Sequence, residues 1–293
     1  MVYLIDASVY IFRAYYSMPD TFYDAEGDPA HAVYGFASFL AEFLERHAPV
    51  HVAACFDESL TTSYRNQIYA DYKANRDPPP PDLAKQLKIC RDVTDAFGVT
   101  GFSSTTYEAD DLIGTLAQAG REQGKRITIM TRDKDLTQLL RGDDIWWDYA
   151  ANKKLNRKGV KEKFGVTPEQ IADLFGLMGD SVDNIPGVRG VGPKTGTVLI
   201  QAFGDLENLY QNLDEVPKLK MRGAKSVRGK LETDRDAAFL SRELARIVCD
   251  IDIDTSLENI AWQKPNLDAV DALSKRMNFS KRFRLRAEKL LKA

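Results

Sequence analysis

The sequence predicts an α/β fold, a parallel sheet with crossover helices, followed by an all-helical region. Three observations carry this. Short apolar runs rich in β-branched residues alternate with stretches of helical period through the first half of the chain, the pattern of a parallel sheet. The strand-like runs stop near residue 160. Three of the runs end at or near an aspartate, which gathers carboxylates at one sheet edge.

In chain order, "VYLI" (2–5) is the first strand. A helical pattern follows at 32–47, then "VHVAACF" (50–56) as the second strand. "RDPPPPD" (76–82) can be neither helix nor central strand, so it is an exposed, stiff connection. Helical patterns at 82–97 and 109–123 precede the strand "RITIMT" (126–131). A short helical pattern at 135–140 leads to "IWW" (145–147), a fourth strand. Beyond the boundary, Thr167 is a cap, Pro168 stands at N1 and Gln170 at N3, so a helix starts in "TPEQIADLFGLMGD". Helices continue at 193–203, 233–247 and 265–291. The division is 1–160 for the α/β core and 161–293 for the helical region with its basic C-terminal helix.

At 293 residues, 44% apolar and 28% charged, the chain can bury a large core. Three cysteines without a CxxC indicate neither a disulfide framework nor zinc, and point to a reducing cytoplasm. The start, "MVYLIDASVY", lacks the basic region of a signal peptide, and no apolar run has membrane-span length. Net charge is −3, but basic residues are segregated: six in 218–230 and eight in 274–292.

The acids carry the chemistry. Asp6, Asp57 and Asp133 follow strand-like runs and should converge at the carboxyl edge of the sheet. "YEADD" adds Glu108, Asp110 and Asp111 at a helix start. Asp135 lies two beyond Asp133, and Asp180 and Asp183 lie three apart, on one face if helical. Alone, each is an ordinary cap or turn residue. Together they would repel one another unless divalent cations screened them. All-oxygen ligands suit Mg²⁺ or Mn²⁺ rather than zinc. Two such ions about 4 Å apart form a clamp for attack of water on a phosphodiester. A phosphatase of the DxDxT type is set aside, because Ala7-Ser8-Val9 follow Asp6.

The segments "LIDAS", "YKANR", "EADD", "TRDKDLTQLL" and "GDSVDNIPGVRGVGPKTG", in this order and spacing, closely resemble the 5′-nuclease (flap endonuclease) superfamily. The nearest branch is similar to the bacterial 5′→3′ exonuclease domain at the front of DNA polymerase I. No polymerase region follows, so a stand-alone nuclease is expected. The resemblance implies a PIN-like nuclease core with a helical arch near 62–90, then a helix–two-turn–helix (SAM-like) region. It implies that Asp6, Asp57, Glu108 and Asp110 hold a first metal. Asp133, Asp135 and Asp183 would hold a second, with Asp110 or Asp111 between them and Asp180 further out. Tyr72, Lys73 and Arg76 match the arch base, which orients the scissile phosphate and gates single-stranded 5′ ends; Arg65 is a weaker candidate for that surface. Gly187, Val188, Gly190, Val191, Gly192, Lys194 and Thr195 match a loop that binds duplex phosphates and holds K⁺ through backbone carbonyls. The expected substrates are DNA with 5′ flaps, nicks or free 5′ ends, and RNA–DNA hybrids. The expected protein is a monomer of the bacterial cytoplasm that engages no membrane. Three departures stand out: Ala7 and Arg132 occupy positions where relatives usually carry glycine, and Gly196 one where they usually carry alanine, which costs about 1 kcal/mol of helix propensity. The alternatives are a PIN-like ribonuclease, which would lack the glycine loop, and a non-catalytic junction binder, which would have lost carboxylates.

Overall fold

The computed structural model describes residues 1–58 and 62–292. In chain order the elements are β1 (Val2–Asp6), α1 (Ala7–Ser17), α2 (His31–His47), β2 (His51–Asp57), α3 (Tyr64–Ile68), α4 (Pro81–Ala96), β3 (Thr100–Ser104), α5 (Ala109–Glu122) and β4 (Ile127–Met130). They continue with β5 (Ile145–Asp148), β6 (Lys153–Leu155), α6 (Arg157–Phe164), α7 (Ile171–Met178), α8 (Pro193–Phe203), α9 (Leu206–Gln211), α10 (Ala224–Thr233), α11 (Arg235–Ala245), α12 (Leu267–Arg276) and α13 (Lys281–Lys292). Short 3₁₀ turns cover Asp135–Leu139, Pro168–Gln170 and Leu213–Lys218.

The sheet order is β3-β2-β1-β4-β5-β6, parallel except for the antiparallel β6. The chain moves outward from β1 to β3, then returns to place β4 on the other side of β1. That reversal opens a crevice at the carboxyl ends of β1 and β4, where sheets of this kind bind ligands.

Side chains alternate across the pleat, so each strand feeds two cores. Val2 and Leu4, Ala53 and Cys55, and Ile127 and Ile129 pack with α5 and the helical region around α7, α8 and α11. Ile5, Val52, Ala54, Phe56 and Met130 pack with α1, α2 and α4 on the opposite face. A boundary at 160 groups α12 and α13 with the helical region, but the structure places them elsewhere. Val270, Leu273, Phe283, Ala287 and Leu290 join the α2 and α4 core. Part of the basic tail's charge is paired there: Arg286 pairs with Glu45 at 3.2 Å and Arg276 with Asp92 at 3.1 Å.

Two strands and the first helix escape the sequence pattern. β3 reads "TGFSS", an edge strand with little apolar content. β6 has three residues. α1 begins directly at the end of β1, because Asp6 caps it by accepting from the Val9 N–H at 3.4 Å. The expected single helix at 265–291 is broken between α12 and α13, where Asn278 takes a left-handed φ of 51°. The expected helical arch is also slighter than the resemblance implies. Over 62–80 the described residues hold the five-residue α3, a turn and the proline strap.

Candidate active site

Six acids reach one cavity of about 520 Å³ at the carboxyl edge of the sheet: Asp6, Asp57, Glu108, Asp110, Asp133 and Asp183. The sheet supplies Asp6 and Asp57 from adjacent strand ends, β1 and β2. Asp133 follows β4 and is set by a relay: its N–H donates to Thr131 Oγ1 at 2.9 Å, and that hydroxyl donates to Asp6 Oδ2 at 2.8 Å. Asp57 Oδ1 accepts from the Ala109 N–H at 2.8 Å, which locks the start of α5 against β2 and brings Glu108 and Asp110 to the edge. Asp183 arrives from the helical region, on the turn after α7.

The acids shift one another. Burial, then Asp57, pushes Asp6 up to about 7, with Asp133 adding to it. Burial also raises Asp110 well above the carboxylate range, helped by Asp133, Asp6 and Asp57, and it raises Asp133. Glu108 goes the other way: burial would raise it, but Lys73 and Arg65 outweigh that and hold it low.

The cationic side is built by a turn at 71–76 that clasps the turn at 181–184. The Lys73 N–H donates to the Asp183 carbonyl at 3.0 Å, Asn184 Nδ2 to the Asp71 carbonyl at 2.7 Å, and Asn75 Nδ2 to the Ser181 carbonyl at 2.9 Å. Lys73 itself takes a left-handed φ of 55°, a conformation that costs an ordinary residue about 1–2 kcal/mol. The clasp holds it there. Lys73 Nζ then stands 2.9 Å from Glu108 Oε1 and 3.9 Å from Asp183 Oδ2, and Arg76 pairs with Asp183 Oδ1. Tyr72 is buried beneath, donating to Glu108 Oε2 at 3.1 Å. It positions Glu108 rather than facing the cavity.

Three of the expected acids do not line this cavity. Asp111 is wholly buried and grips Arg65 through two hydrogen bonds of 2.6 and 2.7 Å. It also accepts from the N–H groups of Glu108 and Val248. Its place at N3 of α5, closing a capping box with Glu108, turns it inward. Arg65 is therefore no part of the surface: it is 2% exposed and donates further to the carbonyls of Leu244 and Arg246. Asp180 pairs with Lys134 and accepts from the Val182 N–H at 2.8 Å. Asp135 pairs with the same lysine at 3.1 Å, and burial and Asp133 push it up to about 7. Arg132 lines the cavity with its Nε 3.3 Å from Asp148, so the residue replacing the usual glycine adds a cation to the rim. Arg13, from α1, lines it too and was not singled out in the sequence.

The glycine loop lies on the helical side. Gly187 and Gly190 take left-handed φ values of 63° and 71°, which only glycine adopts freely. Val188 and Val191 are buried anchors between them. Gly192, Pro193 and Lys194 are exposed at the start of α8, with Thr195 half-buried behind them. Among the described residues, the amides of Gly190, Gly192 and Lys194 have no backbone acceptor, an arrangement suited to phosphate. The Gly190 carbonyl accepts from Lys230 Nζ at 3.4 Å. Gly196 is explained by packing, since a Cβ there would stand 3.0 Å from Leu174 Cδ1.

The donor set fits a hard divalent cation. It is all carboxylate oxygen, Asp6 and Glu108 are buried, and Asp6, Asp110 and Asp133 are pushed upward by burial first and by neighbouring carboxylates after it. Among the described residues no three His, Cys, Asp or Glu groups are drawn together as a finished metal site. The acids are tied instead to Thr131, Ala109, Lys73 and Arg76.

Two sequence models of one family match the chain. The 5′-3′ exonuclease N-terminal resolvase-like domain covers residues 1–165, and the 5′-3′ exonuclease C-terminal SAM fold covers 166–268. DNA polymerase I of Bacillus subtilis (strain 168) is 38% identical over 291 residues, spanning 94% of this chain and 31% of that protein. A protein named 5′-3′ exonuclease from Buchnera aphidicola subsp. Baizongia pistaciae is 37% identical over 262 residues, spanning 89% and 86%. The chain thus spans 31% of the length of the polymerase and most of the length of the exonuclease. Among solved structures, T5 5′-exonuclease with bound divalent metal ions (zinc) superposes with a TM-score of 0.69 at 18% identity, covering 99% of this chain and 98% of that one. The catalytic core of Rad2 in complex with DNA substrate gives 0.64 at 17% identity, covering 98% and 91%. At such identity these two show a shared fold.

Proposed function

We infer the chemistry of this site from one premise: the chain belongs to the 5′-3′ exonuclease family. It is a structure-specific 5′-nuclease that hydrolyses DNA phosphodiester bonds, as a 5′→3′ exonuclease and a 5′-flap endonuclease, in DNA replication or repair. The observation that carries this is the convergence of Asp6, Asp57, Glu108, Asp110, Asp133 and Asp183 on one cavity beside Lys73 and Arg76.

Asp6, Asp57, Glu108 and Asp110 would hold one Mg²⁺ or Mn²⁺, and Asp133 and Asp183 would hold the other with Asp110 between. When bound, such ions acidify water and draw charge from a phosphate. The chain supplies the rest. Lys73 and Arg76 place positive charge where the transferring phosphate gains negative charge. Tyr72 and the clasp between 71–76 and 181–184 fix their positions. The open amides of the glycine loop and α8 hold the duplex without reading sequence. A K⁺ bound by the loop carbonyls would compete with Lys230 at Gly190. Asp180 and Asp135 act from further out by holding Lys134. The protein acts as a monomer in a reducing cytoplasm, as three free cysteines suit, and among the described residues no helix is long and apolar enough to cross a membrane.

Labelled flap, nicked, single-stranded and RNA–DNA substrates, digested with Mg²⁺, test the reading. It requires cleavage at or next to the junction of 5′-ended strands. Cleavage of single-stranded RNA with no action on DNA flaps would replace it with a ribonuclease.

A further inference from the structure

A second cavity, of about 610 Å³, lies beside the active site at the β5–β6 side of the sheet, and no part of the chemistry above uses it. Arg13 belongs to both: it lines the acidic cavity and this one. The walls of the second cavity are aromatic and cationic. Phe39, Trp147 and Tyr149 supply rings, and Arg13, Arg46 and Lys154 supply charge against a single acid, Glu42. Phe39 stacks one face on Tyr10 at 4.0 Å, and Tyr149 stands edge-on to Phe39 at 5.5 Å and to Trp147 at 4.9 Å. The Lys154 ammonium sits 4.1 Å over the Trp147 ring. The Trp147 indole N–H is buried with no acceptor among the described residues, and a buried donor without a partner is uncommon enough to call for a reason.

These features match one ligand chemistry. The half-buried rings of Phe39 and Tyr149 offer a flat base a surface to pack against, with Trp147 buried behind them, and nearby cations suit the phosphates on either side of it. Arg46 pairs with Glu42 at 3.2 Å, which leaves Arg13 and Lys154 as cations with no acid partner among the lining residues. The continuity through Arg13 says which nucleic acid: the strand whose phosphate lies at the carboxylates.

We propose that this cavity is a nucleobase-binding subsite that takes one unpaired base of the single strand leaving the active site, with Arg13 bridging the intervening phosphate. This rests on the nuclease reading above. The subsite makes the enzyme sensitive to flap length: a flap too short to reach it forgoes the contact, and a longer one gains it.

The test uses the full chain and flap substrates with 5′ arms of zero to six thymidines, each position replaced in turn by 5-iodouracil for photo-cross-linking. Cross-links from one arm position to Phe39, Trp147 or Tyr149 are expected. Lys154→Glu, which changes an exposed side chain, and Tyr149→Ala should each lower affinity for the longer flaps by roughly 5- to 100-fold, the range of a base–aromatic contact. Affinity for a nicked duplex with no arm should not change. Unaltered flap-length dependence in both variants, with melting temperatures like that of the parent, would overturn the subsite, as would cross-links confined to residues 62–80. Cross-linking needs no cleavage. It decides the subsite even if flap cleavage, measured in parallel, fails and removes the nuclease reading.

Discussion

At the scale of residues, position along the strand edge decides role. Lys73 and Arg65 are both basic residues near Glu108, yet one lines the cavity and the other is sealed below it. Lys73→Ala leaves the backbone bonds of the clasp in place and removes the side chain beyond Cβ, ammonium included. Single-turnover cleavage at saturating DNA should fall by orders of magnitude, with little change in DNA affinity, because the contact strengthens in the transition state. An equal loss in affinity would make Lys73 a docking residue. Arg65→Ala should act on stability instead. It strands the buried Asp111 carboxylate and should cost about 3–5 kcal/mol, read as a lower denaturation midpoint. This contrast also marks what was legible. The acids announced themselves by spacing, and Asp6, Asp57, Glu108, Asp110, Asp133 and Asp183 do share a cavity. Asp111 could not be told from Asp110 by sequence, because its inward turn depends on Arg65, 46 residues earlier, and on the Val248 amide.

At the scale of elements, the glycine loop separates packing from binding. A Cβ on Gly187 would stand 2.3 Å from the Gly179 nitrogen, at a positive φ of 63°, whereas a Cβ on Gly192 meets nothing within 4 Å. Gly187→Ala should therefore lower stability. Gly192→Val should leave stability nearly unchanged but weaken duplex binding, since its side chain enters the space a phosphate would use. Hydrolysis of a short single-stranded oligonucleotide by the Gly192 variant should stay near the parent rate; equal loss on both substrates would show that the loop supports the second metal instead. The helix at 193–203 was readable to the residue because Pro193 opens it and Gly204 closes it. β3 and β6 were not, since an edge strand with one face exposed needs few apolar residues.

At the scale of the whole molecule, two cores share one sheet, and ion pairs tie the helical region together above them. Arg242 on α11 bridges Glu207 at 2.6 Å and Asp173 at 2.9 Å. Its hydrogen bonds hold the Glu207 carboxyl down to about 2, from an ordinary value of 4.5. A depressed folded-state value means that this pair stabilises above about pH 4.5 and loses its contribution as pH falls from there toward 2. Glu207→Gln should flatten the acid limb of the stability curve in that window and change nothing near neutrality beyond a constant offset. The docking of α12 and α13 on α2 was hidden in the sequence for a related reason. In the sequence their basic residues are only a segregated cluster; the partners that two of them meet, Glu45 and Asp92, lie on distant elements.

The central claim is that the six converging carboxylates hold divalent ions that drive hydrolysis. The most direct measurement is the single-turnover rate on a 5′-flap substrate as Mg²⁺ is titrated, for the parent and Asp57→Asn, with DNA affinity measured in parallel. The account predicts a rate that climbs with Mg²⁺, vanishes in excess EDTA, and falls on the order of 10³-fold or more in the variant, while DNA affinity holds or rises. A parent rate undiminished in EDTA, or an Asp57→Asn enzyme as fast as the parent, would contradict it.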